Sequence, residues 1–153
     1  MRRFLSMLFG EDTPLDEPGS RRDDAHVAAA ALMVEAARLD GTFSDVERQR
    51  IQQLLVERFQ LTPWLAGELL ARAERTATES VAWQGFTHAI KQELAPEERI
   101  EVIEMLWEVA YADGHLHDYE ASLLRRVAGL LYVGDRESGE ARLRVMAKRG
   151  IKV

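Results

Sequence analysis

Six carboxylates recur at fixed spacing in this chain: Asp40, Asp45 and Glu47, then Asp113, Asp118 and Glu120. Each triplet sits in a longer phrase that occurs twice, over residues 35–47 and 108–120. The pairs Glu35/Glu108, Ala37/Ala110, Asp40/Asp113, Gly41/Gly114, Asp45/Asp118 and Glu47/Glu120 are identical at constant offset, and Phe43/Leu116 and Ile51/Leu124 stay apolar. The chemistry these residue types suit is binding of a hard divalent cation, Ca²⁺, Mg²⁺ or Mn²⁺, through oxygen ligands. Asp-Gly followed by Glu matches the second half of a calcium-binding helix-loop-helix, with Asp at loop position 5, Gly at 6 and Glu at 12. The first half does not match: Ala36 and Arg38, and Val109 and Tyr111, fall where ligands belong. One turn therefore cannot supply the roughly 6–8 oxygens that calcium takes. Two turns brought together can.

The same residues also have a purely structural reading. Gly41 and Gly114 suit the left-handed conformation that ends a helix. Ser44 with Glu47 makes a capping box for the next helix. His117 replaces Ser44 in the second copy, a poorer cap, while Glu120 persists. Both readings stand at this stage. Glu35 and Glu108 lie five residues before their Asp, out of line with it on an unbroken helix. Pairing with Arg, or with backbone, is the expectation for both. Arg38, Arg48 and Arg50 are available to neutralise part of the first copy.

The elements that hold these turns read as helices throughout. Nearly everything from Ala25 onward has helical period, and no stretch alternates with period two. The pattern predicts helices over about Asp24–Leu39 and Asp45–Phe59. A third follows Thr62 as cap with Pro63 at its first position, and a fourth follows Thr78 or Glu79. A fifth runs from Pro96 to Asp113-Gly114, a sixth covers about Asp118–Leu131, and a seventh is capped by Asp135 and stopped by Gly150. The order helix, Asp-Gly turn, helix occurs in each half. An internal repeat of this kind predicts an all-α, single-domain bundle of about seven core helices in two pseudo-symmetric halves. Residues 1–22 read as an amphipathic segment and polar linker, and residues 23–153 as the domain.

Composition narrows the function. The chain has 153 residues, no Cys and a net charge of −6. The absence of Cys removes thiolate metal sites and cysteine nucleophiles. The net acidity argues against a nucleic-acid binder. That acidity lies largely in the repeated phrases, and the remainder is close to neutral. No apolar run approaches the roughly 20 residues that span a bilayer. The expectation is a cytoplasmic protein. Phe4, Leu5, Leu8 and Phe9 beside Arg2 and Arg3 could touch the inner face of a membrane peripherally, through residues 1–10.

The doubled phrase, with Leu106-Trp107-Glu108-Val109-Ala110-Tyr111-Ala112-Asp113-Gly114, resembles the TerB-like tellurite-resistance family over about residues 25–148. A related domain occurs in a membrane-anchored DnaJ-type co-chaperone. The resemblance implies an all-helical domain of two similar halves with an acidic, metal-binding face, carried here by Asp40, Asp45, Glu47, Asp113, Asp118 and Glu120. It implies a stress-response or membrane-associated context and a protein partner, without supplying an enzymatic activity. His115 and His117 depart from the family's usual residues around the turn.

The remaining candidates are weaker. His115 and His117 beside carboxylates could take a transition metal, although solvated His is the commoner state on a polar turn. His26 and His88 have no partner pattern. No nucleophile elbow or Gly-rich phosphate loop is present. Trp64, Trp83 and Trp107 are expected in core or interface packing. The basic tail, Arg142, Arg144, Lys148, Arg149 and Lys152, reads as favourable charge near a helix C-terminus. The expected function is a non-catalytic, cation-binding scaffold or sensor. A protein-interaction or co-chaperone-type module with structural turns is the alternative, and a metal-dependent hydrolase the third reading.

Overall fold

A computed structural model describes residues 18–38, 43–77, 83–112, 116 and 118–151. Seven helices occupy them: α1 Pro18–Arg38, α2 Asp45–Phe59, α3 Pro63–Ala77, α4 Trp83–Glu93, α5 Pro96–Ala110, α6 Asp118–Leu130 and α7 Asp135–Lys148. There is no strand among the described residues. The all-α bundle read from the sequence is the fold observed. The repeated phrase joins α1 to α2 and α5 to α6, so each copy ends one helix and opens the next.

Helix α1 is the centre of the molecule. Residues Val27 to Met33 are all at most 1 % exposed. A helix apolar on every side must be enclosed by others, and α1 packs chiefly on α3 and α4, then on α5 and α2. The alanine run lets the neighbours approach closely. Phe86, Ile90, Ile103 and Leu106 fill the space between α4 and α5 and the rest of the core. Helix α5 carries α7 on its other side.

The helix ends show why the boundaries fall where they do. Ser44 caps α2: the Glu47 amide donates to Ser44 Oγ (3.2 Å) and the Ser44 amide to Glu47 Oε1 (2.8 Å). The Leu65 amide donates to Thr62 Oγ1 at 3.1 Å, which starts α3 ahead of Pro63. Helix α5 has the expected Pro96, but its cap is Ala95, whose amide is taken by Glu98. At the far end, Gly150 with φ +70 turns the chain while the Ile151 amide donates to the Met146 carbonyl (2.8 Å). This is the left-handed helix stop that glycine permits.

Three expectations need correction. Helix α1 begins at Pro18, not Asp24, so part of the polar stretch read as linker is helical. Its Arg22 pairs with Glu98 of α5, 76 residues away, a contact no local pattern can encode. Gly134, not Asp135, is the cap residue of α7; Asp135 lies in the first turn, where it suits the helix dipole. Trp64 is 74 % exposed at the start of α3, whereas Trp107 is buried as expected. That exposure removes Trp64 from the core and leaves the interface half of the expectation. Of the domain boundary at residue 22, the segment before residue 18 lies outside the described residues.

Candidate functional site

The helix-initiating part of each acidic phrase is well placed. Asp45 stands at the start of α2 with its side chain 90 % exposed, and Arg48 one turn on donates to Asp45 Oδ1 at 2.6 Å. Arg48 also grips Glu74 of α3 with two bonds, Nε to Oε2 at 2.7 Å and Nη2 to Oε1 at 2.8 Å. Its guanidinium lies 5.1 Å from the Phe43 ring centroid, and that of Arg38 5.7 Å. Phe43 thus anchors the turn between two arginines. Glu47 is committed through one oxygen to the Ser44 amide. In the second copy Asp118 is exposed and Glu120, at the position equivalent to Glu47, is buried, only 7 % exposed. Asp40 and Asp113, with Gly41, Gly114, His115 and His117, lie outside the described residues.

The two copies meet. A cleft of about 330 Å³ is lined by Ala37, Ser44, Glu47 and Ile51 from the first phrase and its helix, and by Val109 and Ala112 from the second. Val46, 75 % exposed, stands at its edge. The cleft wall is mostly apolar, and Glu47 is the acidic side chain among its described lining residues. Among the described residues no group of three or more His, Asp or Glu is gathered at metal-ligand distance. Among the described residues, Asp45 Oδ2 and Glu47 Oε2 have no hydrogen bond, so each of these carboxylates retains an oxygen for a cation.

Glu35 and Glu108 end differently. Glu35 is half-buried with Arg38 at 4.0 Å; burial pushes its carboxyl up, against the pull of Arg38. Glu108 is 2 % exposed and holds three cations: Lys148 Nζ at 3.0 Å, Arg149 Nε at 3.3 Å and Arg58 Nη2 at 3.4 Å. Burial alone would raise its pKa, but the Lys148 hydrogen bond and the three charges outweigh it and hold the carboxyl below the usual range. The network extends through Arg58 to Glu101 (3.2 Å) and Glu104 (3.0 Å), and through Arg144 to Glu104 (2.8 Å). The pairing expected for Glu108 is therefore found. The basic tail does more than complement its own helix end, because it binds α5. Arg142 lies over the Trp107 ring at 5.3 Å and donates to Tyr111 Oη at 2.7 Å.

Sequence reasoning missed His26. It is 5 % exposed, stacks on Phe59 with ring centroids 4.0 Å apart, and neither ring nitrogen has a hydrogen-bond partner. Burial, assisted by Arg22 and opposed by Glu98, lowers its pKa to about 4. Its one sequence signal was its place within the most apolar run of the chain.

The family model described as Tellurite resistance protein TerB matches residues 26–143. The chain belongs to the TerB family. The match spans α1 to most of α7 and both acidic phrases, so TerB membership covers the whole repeat and associates the chain with tellurite-resistance-like systems. No curated protein and no solved structure matches it. No helix among the described residues is long and apolar enough to cross a membrane.

Proposed function

We propose that this chain is a non-catalytic scaffold or sensor of a tellurite-resistance-like system, and that its paired acidic turns bind a divalent cation. The observation that carries this reading is the cleft: both copies of the acidic phrase border it. The ligand oxygens would come from Asp40, Asp113, Asp118 and Glu120, with the uncommitted oxygens of Asp45 and Glu47. Oxygen donors of this kind favour Ca²⁺, Mg²⁺ or Mn²⁺. The apolar wall between the turns suits a protein partner, whose fit would then respond to the ion. Membership of TerB, a helical family, agrees with a non-enzymatic role. Peripheral membrane contact through residues 1–10 belongs to the same reading, as an anchor for the scaffold.

A second reading rests on a specific observation. Arg48 and Ser44 already engage Asp45 and Glu47. In that case the turns are structural corners of an interaction module. Metal titration separates the two. Calorimetry and melting with Ca²⁺, Mg²⁺ and Mn²⁺ should show saturable binding and a rise in melting temperature. Asp40→Asn with Asp113→Asn should remove both. An unchanged melting curve with every ion leaves the interaction module.

A further inference from the structure

A second, chemically opposite site lies further along α2, sharing Arg50 with the cleft. Arg50, Gln53 and Glu57 of α2, Glu108 of α5, and Lys148 and Arg149 at the end of α7 enclose a polar pocket of about 350 Å³. It is rich in donors and poor in acceptors. Among the described residues, Arg149 Nη2 is buried with no acceptor, and Arg50 and Gln53 have no hydrogen bond or ion pair. Lys148 gives one bond to Glu108 and keeps its other two N–H groups. Of the two carboxylates, Glu108 is already neutralised by Arg58, Lys148 and Arg149, and Glu57 is exposed at the rim. Buried donors without acceptors are rare and mark a missing partner. The nearby carbonyls at the end of α7 are taken by the amides of Arg149, Gly150 and Ile151, so they do not repel an anion strongly.

We propose that this pocket binds a phosphoryl oxyanion, held between the guanidinium groups of Arg50 and Arg149 and the Lys148 ammonium. Two planar forks and a point charge match an anion with several acceptor oxygens on different sides. Three cations favour a dianion over a carboxylate. The pocket is wide enough for phosphate carrying a substituent. The anion's oxygens would draw Lys148 and Arg149 partly from Glu108, which Arg58 continues to hold. Arg50 also lines the cleft between the two phrases, but the pocket uses none of the six carboxylates of the acidic turns, so phosphate titration without divalent metal tests it apart from cation binding.

The test is calorimetry on the full chain at matched ionic strength, with inorganic phosphate, O-phosphoserine and acetate as probes. Phosphate or phosphoserine should bind saturably, with Kd on the order of 1 mM, and acetate more weakly by about tenfold. Tighter binding of phosphoserine assigns the source to a phosphorylated partner, and tighter binding of phosphate to the free ion. Arg50→Gln, which removes no contact within the fold, should weaken binding about tenfold. Arg125→Gln, on α6 away from the pocket, should not. Nε–H signals of Arg50 and Arg149 should shift during the titration. Binding that is absent for both phosphates, equal for acetate, or unchanged in Arg50→Gln overturns the proposal.

Discussion

Two buried ionisable side chains show how position decides chemistry. Glu108 is charged in the core because three cations from α2 and α7 surround it. Replacing it by Gln keeps the shape but leaves those cations facing a neutral group. Breaking a buried charge network in this way costs about 3–5 kcal/mol, so urea melts of Glu108→Gln should show a loss of that order. Full stability in the variant would show that the network carries little. His26 is the reverse case, neutral because it is buried. Its pKa is about 4 folded and near 6.5 unfolded. Between those values the unfolded chain takes up a proton that the native chain does not. The neutral-His contribution is thus complete above about pH 6.5 and is lost as pH falls toward 4. Linkage puts this loss at about 2 kcal/mol by pH 5. His26→Phe, which retains a ring against Phe59, should melt with correspondingly less dependence on pH between 7.5 and 5. An identical slope in wild type and variant would remove His26 as the cause.

At the scale of elements, capping and cross-helix charge set the bundle's arrangement. Helix α2 has a complete capping box and α5 half of one: Glu98 reaches back, but Ala95 offers no side-chain acceptor. Ala95 already has the extended backbone of a cap, with φ −69 and ψ 162. Ala95→Ser should therefore stabilise the fold by about 1 kcal/mol, measurable by chemical denaturation. Ser44→Ala should cost about as much. If Ser44→Ala is neutral, the turn is held by Phe43 and its two arginines instead. The charges of α2, α5 and α7 interlock through Arg58, Glu104, Glu108 and Arg144. This ties the first half of the chain to the second. The repeat therefore builds one body rather than two.

For the whole molecule, described residues of both repeated phrases border one cleft, and a donor-rich pocket adjoins it along α2. A cation that binds only the native chain raises stability by about 2.7 kcal/mol at 100-fold excess over Kd. Differential scanning fluorimetry with millimolar Mn²⁺ or Ca²⁺ should then show a rise of several degrees for Kd on the order of 10 μM. Asp40→Asn with Asp113→Asn should lose the rise without losing metal-free stability, because mutual repulsion falls. A variant that simply melts earlier, beside a wild type indifferent to metal, marks the turns as structural. A chain starting at Asp23 loses the Arg22–Glu98 pair, which is half-exposed and worth at most about 1 kcal/mol. Cooperative melting should survive that truncation, and its loss would tie the preceding residues to the core.

The sequence by itself determined the helices, their order and the repeat, because these are local or periodic: Ser44 with Glu47, Thr62-Pro63 and Gly150 act within a few residues, and Ile51, Leu54 and Leu55 of α2 recur at helical spacing. The TerB resemblance rested on the same doubled phrase, and the family match confirms it. It also made six carboxylates visible, though not which oxygens remain uncommitted. Tertiary structure alone decided the rest. Arg58 from α2 and Lys148 and Arg149 from the end of α7 converge on one glutamate of α5, and no spacing rule spans such separations. His26 has no polar partner because Phe59 and the core enclose it, which a single-residue reading cannot foresee. Trp64 lies outside the core, 74 % exposed in the first turn of α3, which its apolar type alone does not foretell. Burial and charge are properties of neighbourhood, and the neighbours here are joined only when the two halves of the chain pack together.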